Sequence, residues 1–253
     1  MSSAKKANLA TNLGIISGQT SPADYDEVDR ALRSYGQYWA EGLKLPALGM
    51  DLLREHFVIG EGREHLVAAH AAGKGVIIVL PHIGSWEWGG AFIVSEGMPM
   101  TVVAEELEPP ELFQWFTQQR ERLGIRVVGL NSSASAVLLD VLGSGGVVGL
   151  LSDRDIQGGG APVEMFGHDV TIPAGPATLA LRTGAALLTA CCYIGPGDDH
   201  YAVISPPIVV ERQGKMREDT YRISQIIADE LADLIRRAPE QWHVLEDRFG
   251  VRS

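Results

Sequence analysis

The chain has 253 residues, of which 45% are hydrophobic, so it is long enough to bury the core of one α/β domain. Lys and Arg number 21 against 32 Asp and Glu, and the resulting net charge of −11 argues against nucleic acid as a partner. No apolar run reaches the roughly 20 residues that a membrane-spanning helix needs, and the first residues lack the apolar centre of a secretory signal. We therefore expect a soluble protein, or one that associates with a membrane without spanning it.

Residues 1–45 are predicted to form a polar start followed by an amphipathic packing helix. Ser21 and Pro22 have the pattern of a helix cap and a first-turn proline. Apolar residues then recur at helical spacing, namely Val28, Leu32, Tyr35, Trp39 and Leu43. This spacing predicts one helix that packs its apolar face on the rest of the domain.

From residue 76 onward, short apolar runs alternate with helical segments. The predicted strands are 76–80, 101–104, 125–128, 147–151, 186–193 and 201–205. The predicted helices are 86–96, 110–123, 133–142, 174–183 and 217–237. This order is typical of an α/β fold with a mostly parallel central sheet and helices on both faces.

The segment VIIVLPHIGSWEWGG contains a histidine where sheets of this kind bind ligands. His82 follows the strand over residues 76–80, and open α/β sheets bind ligands at the carboxyl ends of their strands. Gly84 and Ser85 supply a turn and a helix cap, so Glu87 falls in the first helical turn, where the helix dipole favours a carboxylate. A carboxylate on one imidazole nitrogen leaves the other free to take a proton from an alcohol. The segment therefore predicts that His82 and Glu87 form a general-base pair.

The spacing of these two residues is not informative by itself. The chain has seven histidines, and 32 of its 253 residues are acidic, so about one His-x4-acid match is expected by chance. His56 and Glu61 have the same spacing, but the residues between them have a strand pattern, and positions five apart on a strand face opposite sides. Only His82 and Glu87 combine the spacing with a strand, a turn and a helix. From these residues alone, a buried structural histidine and a solvated acid remain the alternative.

Further segments, in the same order along the chain, resemble the blocks of one enzyme family. They are KKANLATNLG, VVAEELEPPELFQWFTQQRERLGIRVV with its pair Arg120 and Arg122, the element Asp153-Arg154-Asp155, MFGHDVTIPAGPATLALRTGAALLTACCY and PEQWHVLEDRF. With the segment around His82 they cover nearly the whole chain. The sequence resembles the bacterial lipid acyltransferases, which include the late lipid A lauroyl and myristoyl transferases and the actinobacterial phosphatidylinositol mannoside acyltransferases. Trp86-Glu87 and the AGPA and QWH blocks are closer to the mannoside branch.

The resemblance implies a single glycerolipid-acyltransferase-like domain over residues 1–253 with His82 and Glu87 as its catalytic pair. The expected reaction moves a long acyl chain from acyl-CoA to a sugar hydroxyl of a membrane glycolipid, and a phosphatidylinositol mannoside is the expected acceptor. Acyl-CoA is then a donor substrate, and no cofactor and no metal are implied. A sugar hydroxyl needs a base during attack, whereas a CoA thiol with a pKa near ~8.5 leaves readily as a thiolate. Backbone amides of Gly84 and Ser85 are candidate donors to the oxyanion.

Arg120 and Glu105 are the first candidates for substrate binding. Arg120 is expected to meet the negative charges of acyl-CoA or a phosphoinositide, because arginine binds phosphate bidentately. Glu105 follows the predicted strand 101–104, where its carboxylate is expected to hold sugar hydroxyls or to pair with Arg120.

Asp153, Arg154 and Asp155 are the second group of candidates. They close the predicted strand 147–151, so the two acids are expected to orient the acceptor sugar or to brace His82. In the structural alternative, Asp155 accepts backbone amides within a capped loop.

The expected location is the cytoplasm, in peripheral association with the cytoplasmic face of the cell membrane. Cys191 and Cys192 are adjacent on a predicted strand and therefore face opposite sides, which argues against a disulfide and for a reducing compartment. Trp39 and Trp88 are the expected contacts with the membrane.

Three alternative functions remain open at this point. The first is a late lipid A-type or phospholipid acyltransferase. The others are an acyl-CoA thioesterase or lipid hydrolase, in which the same base activates water, and a non-catalytic lipid-binding protein.

Overall fold

The computed structural model describes residues 2–251, which form one α/β domain. The helices are α1 Ser3–Ile16, α2 Tyr25–Lys44, α3 Met50–His56, α4 Arg63–Ala71, α5 Trp86–Ser95, α6 Pro110–Arg122, α7 Ala134–Gly143, α8 Gly175–Thr183 and α9 Met216–Arg236. The strands are β1 Phe57–Glu61, β2 Val76–Leu80, β3 Met100–Ala104, β4 Arg126–Gly129, β5 Val147–Leu151, β6 Ala161–Met165, β7 His168–Ile172, β8 Ala186–Ile194 and β9 His200–Ile204. Short 3-10 helices occupy Leu45–Ala47 and Pro239–Gln241.

A seven-stranded sheet in the order β1-β9-β8-β2-β5-β3-β4 forms the centre of the fold. All of its pairings are parallel except that between β8 and β9. The central strand β2 is buried at all five positions, as expected for a parallel strand that is covered on both faces. The predicted α/β fold with a mostly parallel sheet is confirmed. Because β2 and β5 are neighbours and run in the same direction, the residues after each strand meet at one edge of the sheet.

The N-terminal prediction was wrong in two respects. The polar start contains a helix, α1, which buries Leu9 and Leu13. Helix α2 begins at Tyr25 instead of Ser21 and Pro22, because Asp24 and Glu27 form a capping box in which each side chain accepts from the other residue's backbone amide at 2.9 and 3.1 Å.

A second difference is the antiparallel hairpin of β6 and β7, which the sequence did not predict. It packs on α9, where the side chain of Gln225 makes two hydrogen bonds to the backbone of Glu164, both of 2.9 Å. The hairpin extends the helix layer and adds no strand to the central sheet.

Helix α5 lies unusually close to one face of the sheet. A β-carbon at Gly89 would lie 2.3 Å from the sulfur of Cys192, and one at Gly90 would lie 2.9 Å from the terminal methyl of Ile125. A larger residue at either position would force the sulfur or the methyl group beneath it to move. Each helix in residues 2–251 is too short or too polar to span a bilayer.

Candidate active site

His82 lies directly after β2, at the carboxyl edge of the sheet, and a carboxylate holds its ring. Asp153, which follows the neighbouring strand β5, has Oδ1 2.5 Å from His82 Nδ1, and its Oδ2 accepts the backbone amide of His82 at 3.0 Å. Nε2 of His82 has no hydrogen-bond partner among residues 2–251. Glu87 was predicted as the partner of this histidine, and that pairing is wrong because Asp153 occupies Nδ1. The alternative in which Asp153 braces His82 is confirmed.

Asp153 is fully buried and its other contacts keep it ionised. Its Oδ2 also accepts the indole N–H of Trp242 at 2.7 Å, and its backbone carbonyl accepts from Arg248 Nε at 2.8 Å. Burial alone would raise the pKa of Asp153, but the attraction to His82 and the hydrogen bonds from His82 and Trp242 outweigh it and lower this pKa to about 2. An ionised Asp153 fixes the tautomer with the proton on Nδ1, so that Nε2 is the basic atom.

Glu87 binds Arg120 instead. Arg120 Nε lies 3.1 and 3.2 Å from the two carboxylate oxygens of Glu87, and Arg120 Nη2 lies 2.6 Å from Oε1. Both side chains are largely buried, with 13% of Glu87 and 20% of Arg120 exposed. Glu87 enters the site from the first turn of α5 and Arg120 from the last turn of α6. The predicted pairing of Arg120 with Glu105 is therefore wrong, and Glu105 is exposed to solvent.

The remaining residues of the Asp-x-Asp element serve the loop after β5. Asp155 Oδ2 accepts the backbone amide of Gly160 at 2.8 Å, as in the structural alternative for this residue. Arg154 Nε lies 2.7 Å from Oε1 of Glu246. These contacts hold the segment that carries Asp153.

The backbone amides proposed as oxyanion donors are engaged within the fold. Gly84 N donates to Gln241 O at 3.0 Å, and Ser85 N donates to Cys192 O at 2.8 Å. The indole N–H of Trp86 is a different candidate donor beside His82. It is buried and has no hydrogen-bond partner among residues 2–251. The rings of His82 and Trp86 meet edge to face, with their centroids 5.5 Å apart.

His243 is a second histidine beside His82 that the sequence analysis did not single out. Its backbone amide donates to His82 O at 2.7 Å, and its Nε2 lies 3.0 Å from Ser34 Oγ. Burial, together with the nearby His82, lowers the pKa of His243 to about 3. It stays neutral and does not compete with His82 for Asp153. The PEQWHVLEDRF block, which contains Trp242 and His243, was the only sequence signal for either residue.

An apolar pocket of about 780 Å³, including its part open to solvent, lies between α5 and the sheet. It is lined by Phe57, Ile59, Ile78, Leu80, Trp86, Glu87, Gly89, Gly90, Phe92, Ile93, Met100, Val102, Val103, Arg120, Ile125, Gly149, Leu150, Leu151, Ala190, Cys192, Ala202 and Ile204. Glu87 and Arg120 are the two charged members of this set. They also line a groove of about 390 Å³ between α2 and α6, which we call the surface groove and which contains Trp39, Leu43 and Trp115.

The two tryptophans predicted to contact a membrane differ in exposure. Trp39, on the surface groove, is 37% exposed. Trp88 is 4% exposed and stacks on His200 with the ring centroids 4.2 Å apart, so the prediction for Trp88 was wrong. Among residues 2–251, no three His, Cys, Asp or Glu side chains are grouped so that they could hold a metal ion.

The fold and the site together define a class of α/β protein with a carboxylate-held histidine at the sheet edge and an apolar pocket under the helix that follows it. The family model for bacterial lipid A biosynthesis acyltransferase matches residues 1–250. The chain is 35% identical over 246 residues to a phosphatidylinositol mannoside acyltransferase of Mycolicibacterium smegmatis, which covers 95% of this chain and 78% of the relative. It is 37% identical over 248 residues to the protein of the same name from Mycobacterium tuberculosis, and this match covers 95% of this chain and 76% of the relative. The chain belongs to this acyltransferase family and is an enzyme that transfers acyl groups.

Proposed function

We propose that the protein transfers a long acyl chain from acyl-CoA to a sugar hydroxyl of a phosphatidylinositol mannoside. The observation that carries the proposal is the arrangement of His82, whose Nδ1 is held by ionised Asp153 while Nε2 has no partner, beside an apolar pocket. The names of the relatives from M. smegmatis and M. tuberculosis support the acceptor. The pocket supports a long-chain donor, because its lining is apolar except at the Glu87–Arg120 pair.

In the proposed reaction, His82 Nε2 takes the proton of the sugar hydroxyl as its oxygen attacks the thioester carbonyl carbon. The carbonyl electron pair moves to oxygen and gives an oxyanion, and the imidazolium that forms is stabilised by Asp153 at 2.5 Å. The oxyanion then collapses, the carbon–sulfur bond breaks and the CoA thiolate leaves. The proton on Nε2 is available to the thiolate, so the histidine returns to its starting state.

Trp86 and the Glu87–Arg120 pair are assigned supporting roles in this reaction. The indole N–H of Trp86 is the donor that we assign to the oxyanion, since it lacks a partner and Trp86 borders the pocket. Glu87 binds Nε and Nη2 of Arg120 and so orients the guanidinium, and we assign its third nitrogen, Nη1, to a phosphate of the donor or acceptor. Asp155 and Arg154 hold the loop that carries Asp153.

The location that we propose is the cytoplasmic face of the membrane, with peripheral association through the surface groove. Trp39, Leu43 and Trp115 expose apolar surface there, at 37%, 54% and 39%. The groove shares Glu87 and Arg120 with the apolar pocket, so a lipid that contacts the groove lies next to the site.

The test is to incubate the purified protein with labelled long-chain acyl-CoA and a total lipid extract and to identify the labelled product by mass. An acylated phosphatidylinositol mannoside is expected, and His82→Ala should abolish it while the far-ultraviolet circular dichroism stays that of the wild type. Release of CoA at the same rate with and without lipid would show a hydrolase instead. Labelled lipid A or phospholipid as the product would refute a phosphatidylinositol mannoside as the acceptor. Full activity of His82→Ala would refute the assignment of His82 as the base.

A further inference from the structure

Within residues 2–251, no hydrogen bond fixes the direction in which the indole N–H of Trp86 points. This N–H is the donor that we assign to the oxyanion. A donor stabilises an oxyanion only if it points to the place where the charge develops, about 2.7–3.1 Å away. The packing of other side chains around the indole must therefore keep the N–H in the required direction.

Three rings surround the indole of Trp86. Tyr38, on α2, is the closest of them, with the ring centroids 4.2 Å apart and the planes 32° from parallel. His82 meets the indole edge to face at 5.5 Å, and His243 lies at 6.1 Å. Tyr38 also contacts His243, with their centroids 5.4 Å apart. The ring of Tyr38 covers the indole at stacking distance, so it restricts the rotation of the indole more than the other two rings do.

Helix α2 holds Tyr38 in place through polar contacts on either side of it. Ser34, Tyr38 and Glu41 lie on one face of the helix, because residues three and four apart are neighbours on a helix surface. Ser34 Oγ lies 3.0 Å from Nε2 of His243. Glu41 Oε2 lies 2.7 Å from Nε2 of His200, and the two side chains are 17% and 1% exposed. The helix is therefore fixed both before and after Tyr38, which leaves the ring little freedom to move away from Trp86.

The ring of Tyr38, and not its hydroxyl, makes the contact with Trp86. The side chain is buried, with 7% of the residue exposed. Burial, together with the nearby carboxylate of Glu87, raises the pKa of Tyr38 well above its usual value. The hydroxyl therefore stays protonated and does not act as a second base beside His82.

We propose that Tyr38 is a positioning residue, which stacks on Trp86 and so keeps the indole N–H directed at the oxyanion. The proposal rests on the proposed acyl transfer and on Trp86 as the oxyanion donor. A smaller side chain at position 38 leaves space into which the indole can turn. The oxyanion then loses its donor while the contacts that bind the substrates remain, so the change lowers kcat and leaves KM nearly as it was.

The first experiment measures acyl transfer by variants of two tyrosines of α2. Tyr38→Leu is expected to lower kcat roughly tenfold or more with KM within about twofold of the wild type, whereas Tyr38→Phe, which keeps the ring, should keep kcat within about twofold. The matched control is Tyr35→Leu, which removes a ring that contacts Trp39 and His243, and it should keep kcat within about twofold. In a Trp86→Phe background, Tyr38→Leu should lower kcat no further, because the donor that Tyr38 positions is already absent.

The second experiment observes the indole in the protein alone, without substrates. In a proton–nitrogen correlation spectrum, the indole N–H peak of Trp86 is identified by its loss in Trp86→Phe. The wild type and Tyr38→Phe are expected to give one sharp peak for Trp86. Tyr38→Leu is expected to broaden or split this peak, because the indole then exchanges between orientations, while the peaks of Trp88 and Trp242 stay sharp.

The outcomes separate this proposal from those on which it rests. A wild type that transfers no acyl chain to any glycolipid overturns the proposed function together with this one. Wild-type kcat in Trp86→Phe overturns the donor assignment and this proposal with it.

Three results overturn the role of Tyr38 alone, given an active wild type and a slow Trp86→Phe variant. They are wild-type kcat or a single sharp Trp86 peak in Tyr38→Leu, a tenfold loss of kcat in Tyr38→Phe, and losses that multiply in the double variant. If Tyr38→Leu does not fold, Tyr38→Met, which lacks a ring but fills more of the space, takes its place with the same expectations.

Discussion

Replacing Asp153 with asparagine tests the central contact of the site. In the wild type, Oδ1 of Asp153 faces Nδ1 of His82, and Oδ2 accepts both the amide of His82 and the indole N–H of Trp242. An asparagine has one oxygen and one NH₂ group in place of the two oxygens. It cannot accept from all three donors, and one buried N–H is left facing another donor.

The structure gives the expected size of the effect. Burial raises the pKa of Asp153 and its neighbours lower it, and the net fall from 3.8 to about 2 corresponds to about 2 kcal/mol of net stabilisation of the carboxylate. If the imidazolium of His82 loses this stabilisation in the variant, turnover slows by roughly 30-fold or more. The unpartnered donor costs a further ~1–3 kcal/mol of folding free energy. In the wild type, the contribution of Asp153 to stability is present above pH 3.8 and is lost as the pH falls toward 2.

The assay is acyl transfer from long-chain acyl-CoA as a function of pH, together with thermal unfolding of the same samples. The matched control is Asp155→Asn in the same loop, because an asparagine oxygen can still accept the one amide, from Gly160, that Asp155 binds. The control should keep turnover within about twofold of the wild type. Wild-type turnover in a folded Asp153→Asn protein would refute the assignment of Asp153 as the partner of His82.

Three further predictions concern the rest of the site. Glu87→Gln should raise the KM of the donor or acceptor about tenfold with kcat within about twofold of the wild type, because Arg120 loses its charged partner; a fall in kcat at unchanged KM would contradict the role assigned to Glu87. Trp86→Phe should lower kcat by ~10²-fold with little change in KM, whereas Trp88→Phe, which also removes a buried unpartnered indole N–H, should leave kcat unchanged; equal effects would contradict the role assigned to Trp86. The wild type should lose stability as the pH falls from 6.5 toward 3, because the unfolded chain protonates His243 in that range and the folded chain does not. Unfolding at several pH values should show a shallower loss for His243→Gln, and an unchanged slope would contradict the assignment.

Six of the seven strands of the central sheet, and the sheet edge at which the candidate site lies, could be predicted from sequence because both depend on local patterns. A run such as Val76–Leu80 is apolar at every position, and the residue after a parallel strand always reaches the sheet edge. His82 was found in this way. The helix start at Tyr25 was missed although its signal was local, since the capping box of Asp24 and Glu27 is visible in the sequence.

Local patterns offered Asp153 only as one of several candidates near His82 and did not single it out as the partner. Asp153 lies 71 residues further along the chain, and it reaches the histidine because β5 is the neighbour of β2 in the sheet. Strand order is a property of the whole fold, and the spacing to Glu87 carried no information about it. Glu87 faces Arg120 for the same reason, because the places of α5 and α6 in the fold decide which charges meet.

The two glycines of α5 have a consequence for the stiffness of the site. A glycine inside a helix costs about 1 kcal/mol relative to alanine, so Gly89 and Gly90 leave this ten-residue helix with little tendency to form by itself. What orders it is contact with Cys192, Ile125 and the other groups beneath it. Glu87 is therefore held in position by the packing under α5 more than by the helix itself. If the acyl chain of the proposed donor fills the pocket, it adds to that packing and stiffens the helix that carries Glu87.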